Sequence, residues 1–199
     1  MTLSTAPGLL VARIDDAGQC QTSLDRNAST LRATGSVFKI WVLAGLAQAI
    51  AQGVTAPDTL VELVAAHIAP SGTINSEPLG TDFSVFDLAV AMLGISDNTA
   101  TDLLHEHVGR LAIDQAITDA GVDDPTALQP LLKINEQFHL FHWFDLATSQ
   151  AYVDGSEAFQ LQFANGTLAS KGPLKTYPYF HVGLLTDGSW RASPRDICE

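Results

Sequence analysis

The sequence predicts an α+β fold in which a β-hairpin feeds a mostly helical body. Three observations point there. An apolar, β-branched stretch near the N-terminus meets a turn cluster and a second short extended segment. One helix-length segment is apolar on nearly every face. The capped helical patterns that follow never alternate with strands as a doubly wound sheet requires.

Gly8-Leu-Leu-Val-Ala-Arg-Ile14 followed by Asp15-Asp16-Ala17-Gly18 and a segment from Cys20 to Leu24 reads as the hairpin. From Ser36 to Gln52, the residues Val37, Phe38, Ile40, Trp41, Val42, Leu43, Leu46 and Ile50 leave no polar face, so this helix is expected in the core, ended by Gly53. Thr59 to Ile68 reads as a shorter helix, and Pro70 to Gly80 as a loop by its Gly, Pro and Ser content. Ser84-Val-Phe-Asp87 has the form of a capping box, which starts a helix over Val85–Leu93 that stops at Gly94. Helices are expected next over Asn98–Val108, Leu111–Ala120 with Gly121 as its stop, Phe138–Leu146, and Ser156–Phe163, closing before Asn165-Gly166. Ser193-Pro194-Arg-Asp196 then carries a helix start, with Ser as N-cap and Pro at the first helical position.

Composition narrows the function. With 199 residues, 46% apolar and 16% charged, the chain suffices for one domain with its own core and is a poor candidate for disorder or a membrane span. Its net charge of −12 repels phosphate backbones and anionic lipid, so neither nucleic acid nor a membrane is an expected partner. Cys20 and Cys198 lie near opposite ends, which supports no disulfide framework, and neither a CxxC pair nor a zinc pattern is present. Met1–Pro7 lacks a basic patch and apolar core, so the chain as written reads as cytoplasmic, or as secreted if its true N-terminus lies upstream. No phosphate loop, dinucleotide fingerprint or Gly-x-Ser-x-Gly elbow occurs, and no cofactor is expected. His105-Glu106-His107 and His139-Leu-Phe-His142 do not form H-E-x-x-H, so no metal site is expected either. The oligomeric state is left open.

Two short motifs carry the chemistry. Ser36-Val-Phe-Lys39 is an S-x-x-K at the start of the buried helix, and residues three apart on a helix share a face. A serine hydroxyl is a weak nucleophile until an adjacent base takes its proton. Desolvation by Phe38 and Trp41 favours the neutral Lys39 amine that can do so, and the helix N-terminus offers N–H groups to a developing oxyanion. Taken alone, the same four residues also fit an N-cap followed by a snorkelling lysine. The second motif, Ser96-Asp97-Asn98, sits between two helices, where each of its side chains can also serve as a cap.

S-x-x-K followed by S-D-N is the pairing of serine β-lactamases and penicillin-binding proteins. The stretch Met92-Leu-Gly-Ile-Ser96-Asp-Asn-Thr-Ala-Thr-Asp-Leu-Leu104 resembles the S-D-N region of class A β-lactamases, and the order of hairpin, serine helix and S-D-N turn follows that family from about residue 8 to 110. The resemblance implies an α/β-sandwich type of α+β fold, with an antiparallel sheet, flanking helices and a helical subdomain. Residues 1–35 would then supply the hairpin of the sheet layer, and residues 36–190 the central helix and mostly helical part. It implies Ser36 as the acylated nucleophile, Lys39 as base or proton relay, Ser96 as the hydroxyl passing a proton to the leaving nitrogen, and Asn98 as a substrate-binding amide. Asp97 would hold the loop. The substrate implied is a small lactam, amide or ester, with esterase or thioesterase chemistry as the alternative.

The sequence departs from the family at two motifs and at its ends. No glutamate sits in an E-x-x-L-N context to activate a deacylating water; Glu136 lies in the corresponding stretch but reads as part of a helix face. The text nearest to K-[ST]-G is Lys175-Thr176-Tyr177, flanked by Pro173 and Pro178, which reads as a loop. The family's first helix has no counterpart ahead of the hairpin, and its last strands have none after Asp196. Residues 1–199 are therefore expected to form one domain truncated at the C-terminus and at the N-terminus, its sheet incomplete. A catalytically inactive remnant lacking the third-motif strand is the second expectation.

Overall fold

The computed structural model describes residues 7–174, 180–184 and 188–198. The first turn signal acts as its residues dictate: Asp15 Oδ1 accepts from Ala17 N and Gln19 N at 2.9 Å each, closing a hairpin between β1 (Leu9–Ile14) and β2 (Cys20–Arg26). Two further antiparallel pairs join distant segments: β3 (Arg32–Ala33) with β6 (Arg191–Ala192), and β4 (Leu60–Glu62) with β5 (Asp82–Ser84). The architecture is α+β, and the strands of the described residues divide among three two-stranded pairings.

The helix expected over Thr59–Ile68 is instead β4 followed by a single 3-10 turn, Ala65–His67. The burial shows why. Leu60 is exposed, Val61 half-buried, Glu62 exposed and Leu63 fully buried, a period of two that suits a strand.

A 3-10 turn over Gly35–Phe38 leads into α1 (Lys39–Ala51). Phe38, Trp41, Val42, Leu46 and Ala49 are buried, so α1 forms the axis of the main core. Gly45 lets α4 (Arg110–Asp119) lie close against α1, since a Cβ there would sit 2.9 Å from Ile113 Cγ1. Ser84 caps α2 (Val85–Gly94), accepting from Asp87 N at 3.0 Å, and α3 (Asn98–Val108) begins directly after the S-D-N aspartate.

A second, smaller core of Leu132, Leu140, Tyr152, Ala164 and Leu168 gathers α5 (Ile134–His142), α6 (Leu146–Val153) and α7 (Glu157–Phe163). The helix expected from Phe138 starts at Ile134 because Glu136 Oε2 accepts from Lys133 N at 2.8 Å and fixes the first turn. Helix α6 escaped the sequence reading, although Asp145 caps it by accepting from Thr148 N at 2.7 Å. Past Phe163 the chain continues as a π-helical turn through Asn165-Gly166, because Ala164 and Leu168 are both drawn into this core.

The C-terminal helix start holds as α8 (Pro194–Cys198), where Ser193 and Asp196 cap each other reciprocally. Cys198 is bridged to Cys20 on β2, with Cα atoms 6.1 Å apart. The two cysteines lie 178 residues apart, and only the fold brings them together. Among the described residues no helix is long and apolar enough to cross a membrane.

Candidate functional site

Three of the four candidate residues, Lys39, Ser96 and Asn98, meet where the N-terminal end of α1 faces the α2–α3 turn. Lys39, 1% exposed, reaches across with all three amine protons engaged: Nζ donates to Ser96 O at 2.6 Å, Asn98 Oδ1 at 2.8 Å and Ser96 Oγ at 3.0 Å. Ser96 adopts φ of 59°, a left-handed conformation that costs a non-glycine residue free energy. That conformation accompanies a carbonyl and a hydroxyl presented together to one amine. Asn98 is fixed in turn by donating from Nδ2 to Pro70 O at 2.6 Å.

Asp97 is fully buried and builds the turn. One carboxylate oxygen accepts from Thr73 N at 2.6 Å and Ile74 N at 3.0 Å; the other accepts from Ala100 N at 3.0 Å as the cap of α3. Gly72, with φ of +124°, lies so close that a Cβ would stand 2.4 Å from the Asp97 carboxyl carbon. The loop over residues 70–76 is thereby tied to the S-D-N turn.

Ser36 sits on the 3-10 turn one helical step before Lys39, its side chain exposed. Among the described residues its hydroxyl makes no hydrogen bond, so the amine that the sequence places beside it is held on the Ser96–Asn98 side. The nucleophile candidate faces solvent and the lysine is its nearest buried base in sequence. Burial pushes the Lys39 amine down from 10.5 to about 8, opposed by the Asp97 and Asp102 carboxylates. About a tenth of the amine is neutral at pH 7 on that value.

Behind this arrangement lies a buried polar layer that the sequence reading missed. Asp102 on α3 accepts from Ile134 N at 2.6 Å and Asn135 N at 3.0 Å, and burial raises its carboxyl to about 7 against those two hydrogen bonds. Glu136 is also buried and is gripped by Arg110 Nη2 at 2.7 and 2.8 Å. Arg110 Nη1 donates to Leu131 O as well, and His105 Nε2–H donates to the same carbonyl at 2.8 Å. Desolvation holds the His105 imidazole down at about 3, so it is neutral. Glu136 thus serves the α5 start and an ion pair. The Lys175-Thr176-Tyr177 text lies outside the described residues. Among the described residues no group of three His, Cys, Asp or Glu side chains is placed to hold a metal ion.

A family model described as the beta-lactamase enzyme family matches residues 4–159. Among solved structures, the β-lactamase from Sphaerobacter thermophilus superposes with a TM-score of 0.51 at 29% identity, covering 59% of this chain and 43% of that chain. The D-alanyl-D-alanine carboxypeptidase DacD from Francisella tularensis gives 0.53 at 23% identity, over 61% of this chain and 30% of that one. Penicillin-binding protein D2 from Listeria monocytogenes, in its cefotaxime-bound form, gives 0.50 at 19% identity, over 63% and 51%. The last two are likenesses of fold. The chain spans less than half the length of the β-lactamase it matches. No curated protein matches it.

Proposed function

Because the chain belongs to the beta-lactamase enzyme family, we propose that it is a serine hydrolase that opens a small lactam by acyl transfer to Ser36. Lys39 is the base that takes the Ser36 proton, Ser96 passes a proton to the leaving nitrogen, and Asn98 binds the substrate amide while holding Lys39. The observation that carries this reading is the Lys39 amine. It is buried, depressed to about 8, and joined at once to Ser96 Oγ and Asn98 Oδ1. A lysine serving only to cap or snorkel would put its charge in water.

In the acylation step Ser36 Oγ bonds to the lactam carbonyl carbon, the ring C–N bond breaks, and the serine proton moves through Lys39 and Ser96 to the nitrogen. Deacylation is a separate matter. The glutamate nearest to a water-activating role, Glu136, is bound to Arg110 and caps α5, which favours a long-lived acyl-enzyme over rapid turnover. Transfer from an ester or thioester is the second reading, supported by the solvent exposure of Ser36, which limits access less than an enclosed lactam pocket would. The Cys20–Cys198 bridge supports an oxidising compartment.

Benzylpenicillin and a p-nitrophenyl ester, each followed by intact-mass measurement, test the assignment. A covalent adduct on the wild type that disappears in Ser36→Ala is expected. Equal labelling of the two proteins contradicts it.

A further inference from the structure

The serine turn is held from the opposite end of the chain. Thr34 N–H donates to Trp190 O at 2.9 Å, and β3, three residues before Ser36, pairs with β6 immediately after Trp190. The Phe38 ring, two residues after Ser36, stacks on the Trp190 indole with centroids 3.8 Å apart and planes 9° from parallel. Trp190 is itself 8% exposed and fixed by its Nε1–H to Leu132 O at 3.1 Å. Ser36 is therefore flanked on both sides by residues that rest on the segment 190–192.

That segment runs straight into α8, whose described residues are tied to the rest of the fold. Three ties hold it. Asp196 accepts from Asp123 N at 3.0 Å, Arg195 N donates to Ala28 O at 3.1 Å, and Cys198 is bridged to Cys20. The Arg195–Asp25 ion pair is solvent-accessible and contributes little. The bridge is the covalent member of the set, and it joins α8 to β2 of the hairpin.

We infer that the Cys20–Cys198 bridge is a redox latch on the serine turn, acting through α8, β6 and the positioning residue Trp190, so that Ser36 reaches its full reactivity only in the oxidised chain. The inference rests on the reading of Ser36 as the acylated residue. A dithiol opens the latch by two thiol exchanges. Its first thiolate attacks one protein sulfur and displaces the other as a thiolate; its second then resolves the mixed disulfide. Cys20 and Cys198 end as thiols, and the reductant ends as a disulfide having supplied two electrons and two protons. Closure is the reverse, with a disulfide of the oxidising compartment as acceptor. A chain made under reducing conditions would thus gain its acylation rate on reaching an oxidising one.

The test compares oxidised protein, protein reduced with dithiothreitol and freed of it under nitrogen, and the Cys20→Ser/Cys198→Ser variant, which cannot close. Hydrogen exchange of the Thr34 amide and the rate of Ser36 labelling by a fluorescent penicillin are read on each. Thr34 is expected to exchange at least tenfold faster in both open forms, while the Thr101 amide, bonded to Asp97 O within the S-D-N turn, keeps its rate. Labelling is expected to fall at least threefold in both, and reoxidation of the wild type to restore it. Trp190→Ala should mimic the open forms, and Trp190→Phe, which keeps a ring over Phe38, should recover most of the labelling. Unchanged Thr34 exchange, or faster exchange with unchanged labelling, overturns the latch. Faster Thr34 exchange in a protein that penicillin never labels keeps the latch on the turn and overturns the serine reading instead.

Discussion

Lys39→Met gives a prediction in which stability reports directly on the proposed base. The amine is pushed from 10.5 to about 8 chiefly by burial. Between those two pH values the unfolded chain still carries the proton that the folded chain has released, so the unfolded state binds more protons and stability rises with pH. Below pH 8 both states are protonated and the contribution is flat at its least favourable value. At about 1.4 kcal/mol per pH unit, the full window is worth about 3 kcal/mol. The stability of wild type minus that of Lys39→Met should therefore climb by about 3 kcal/mol from pH 8 to pH 10.5. With a urea slope of about 2 kcal/mol/M, the midpoint difference moves by roughly 1.5 M. Taking the difference removes every other titration common to both proteins, and with both cysteines in the bridge no free thiol intervenes. Two parallel pH curves, or a difference that falls as pH rises, would refute a buried and depressed Lys39. The acylation rate should follow the same amine, rising tenfold per unit up to about pH 8 and then levelling.

Arg110→Met leaves the buried Glu136 carboxylate without its bidentate partner, for a cost of about 3–5 kcal/mol in urea unfolding; adding Glu136→Gln should recover part of that loss, because no unpaired charge is then left buried. Gly72→Ala must place a methyl at φ of +124° against the Asp97 carboxyl, which should cost on the order of 3 kcal/mol, lower Tm by about 6–12 °C and slow labelling of Ser36 by loosening the S-D-N turn.

What could be read in the sequence was what short range determines. The Asp15–Gly18 turn, the Ser84 and Asp97 caps and the bounds of α3 follow from residues within four positions of one another. S-x-x-K and S-D-N lie 57 residues apart at Lys39 and Ser96, and only the resemblance to a known family, not any local pattern, assigns them to one site; the bonds from Lys39 to Ser96 and Asn98 are seen in the fold. The placement of Ser36 was legible only as far as its turn. Its hydroxyl faces solvent, because Lys39 finds three acceptors on the other side. The strand Leu60–Glu62 was misread because its partner Asp82–Ser84 lies 20 residues on, and a three-residue strand has too few positions to display its period. The start of α5 was missed because aromatic residues from Phe138 outweighed the quieter cap signal at Glu136. The bridge between Cys20 and Cys198 and the stack of Trp190 on Phe38 join segments about 150 or more residues apart, and no local pattern announces either.

On the proposed function, Ser36 is the residue that attacks. The most direct measurement is peptide mapping of the oxidised wild type after reaction with benzylpenicillin near pH 8, where the Lys39 amine is half neutral. A single adduct on Ser36 carrying the whole mass of the penicillin is expected, since ring opening expels no fragment, and none in Ser36→Ala or Lys39→Met. An adduct on any other residue, or one that survives in Ser36→Ala, would contradict it.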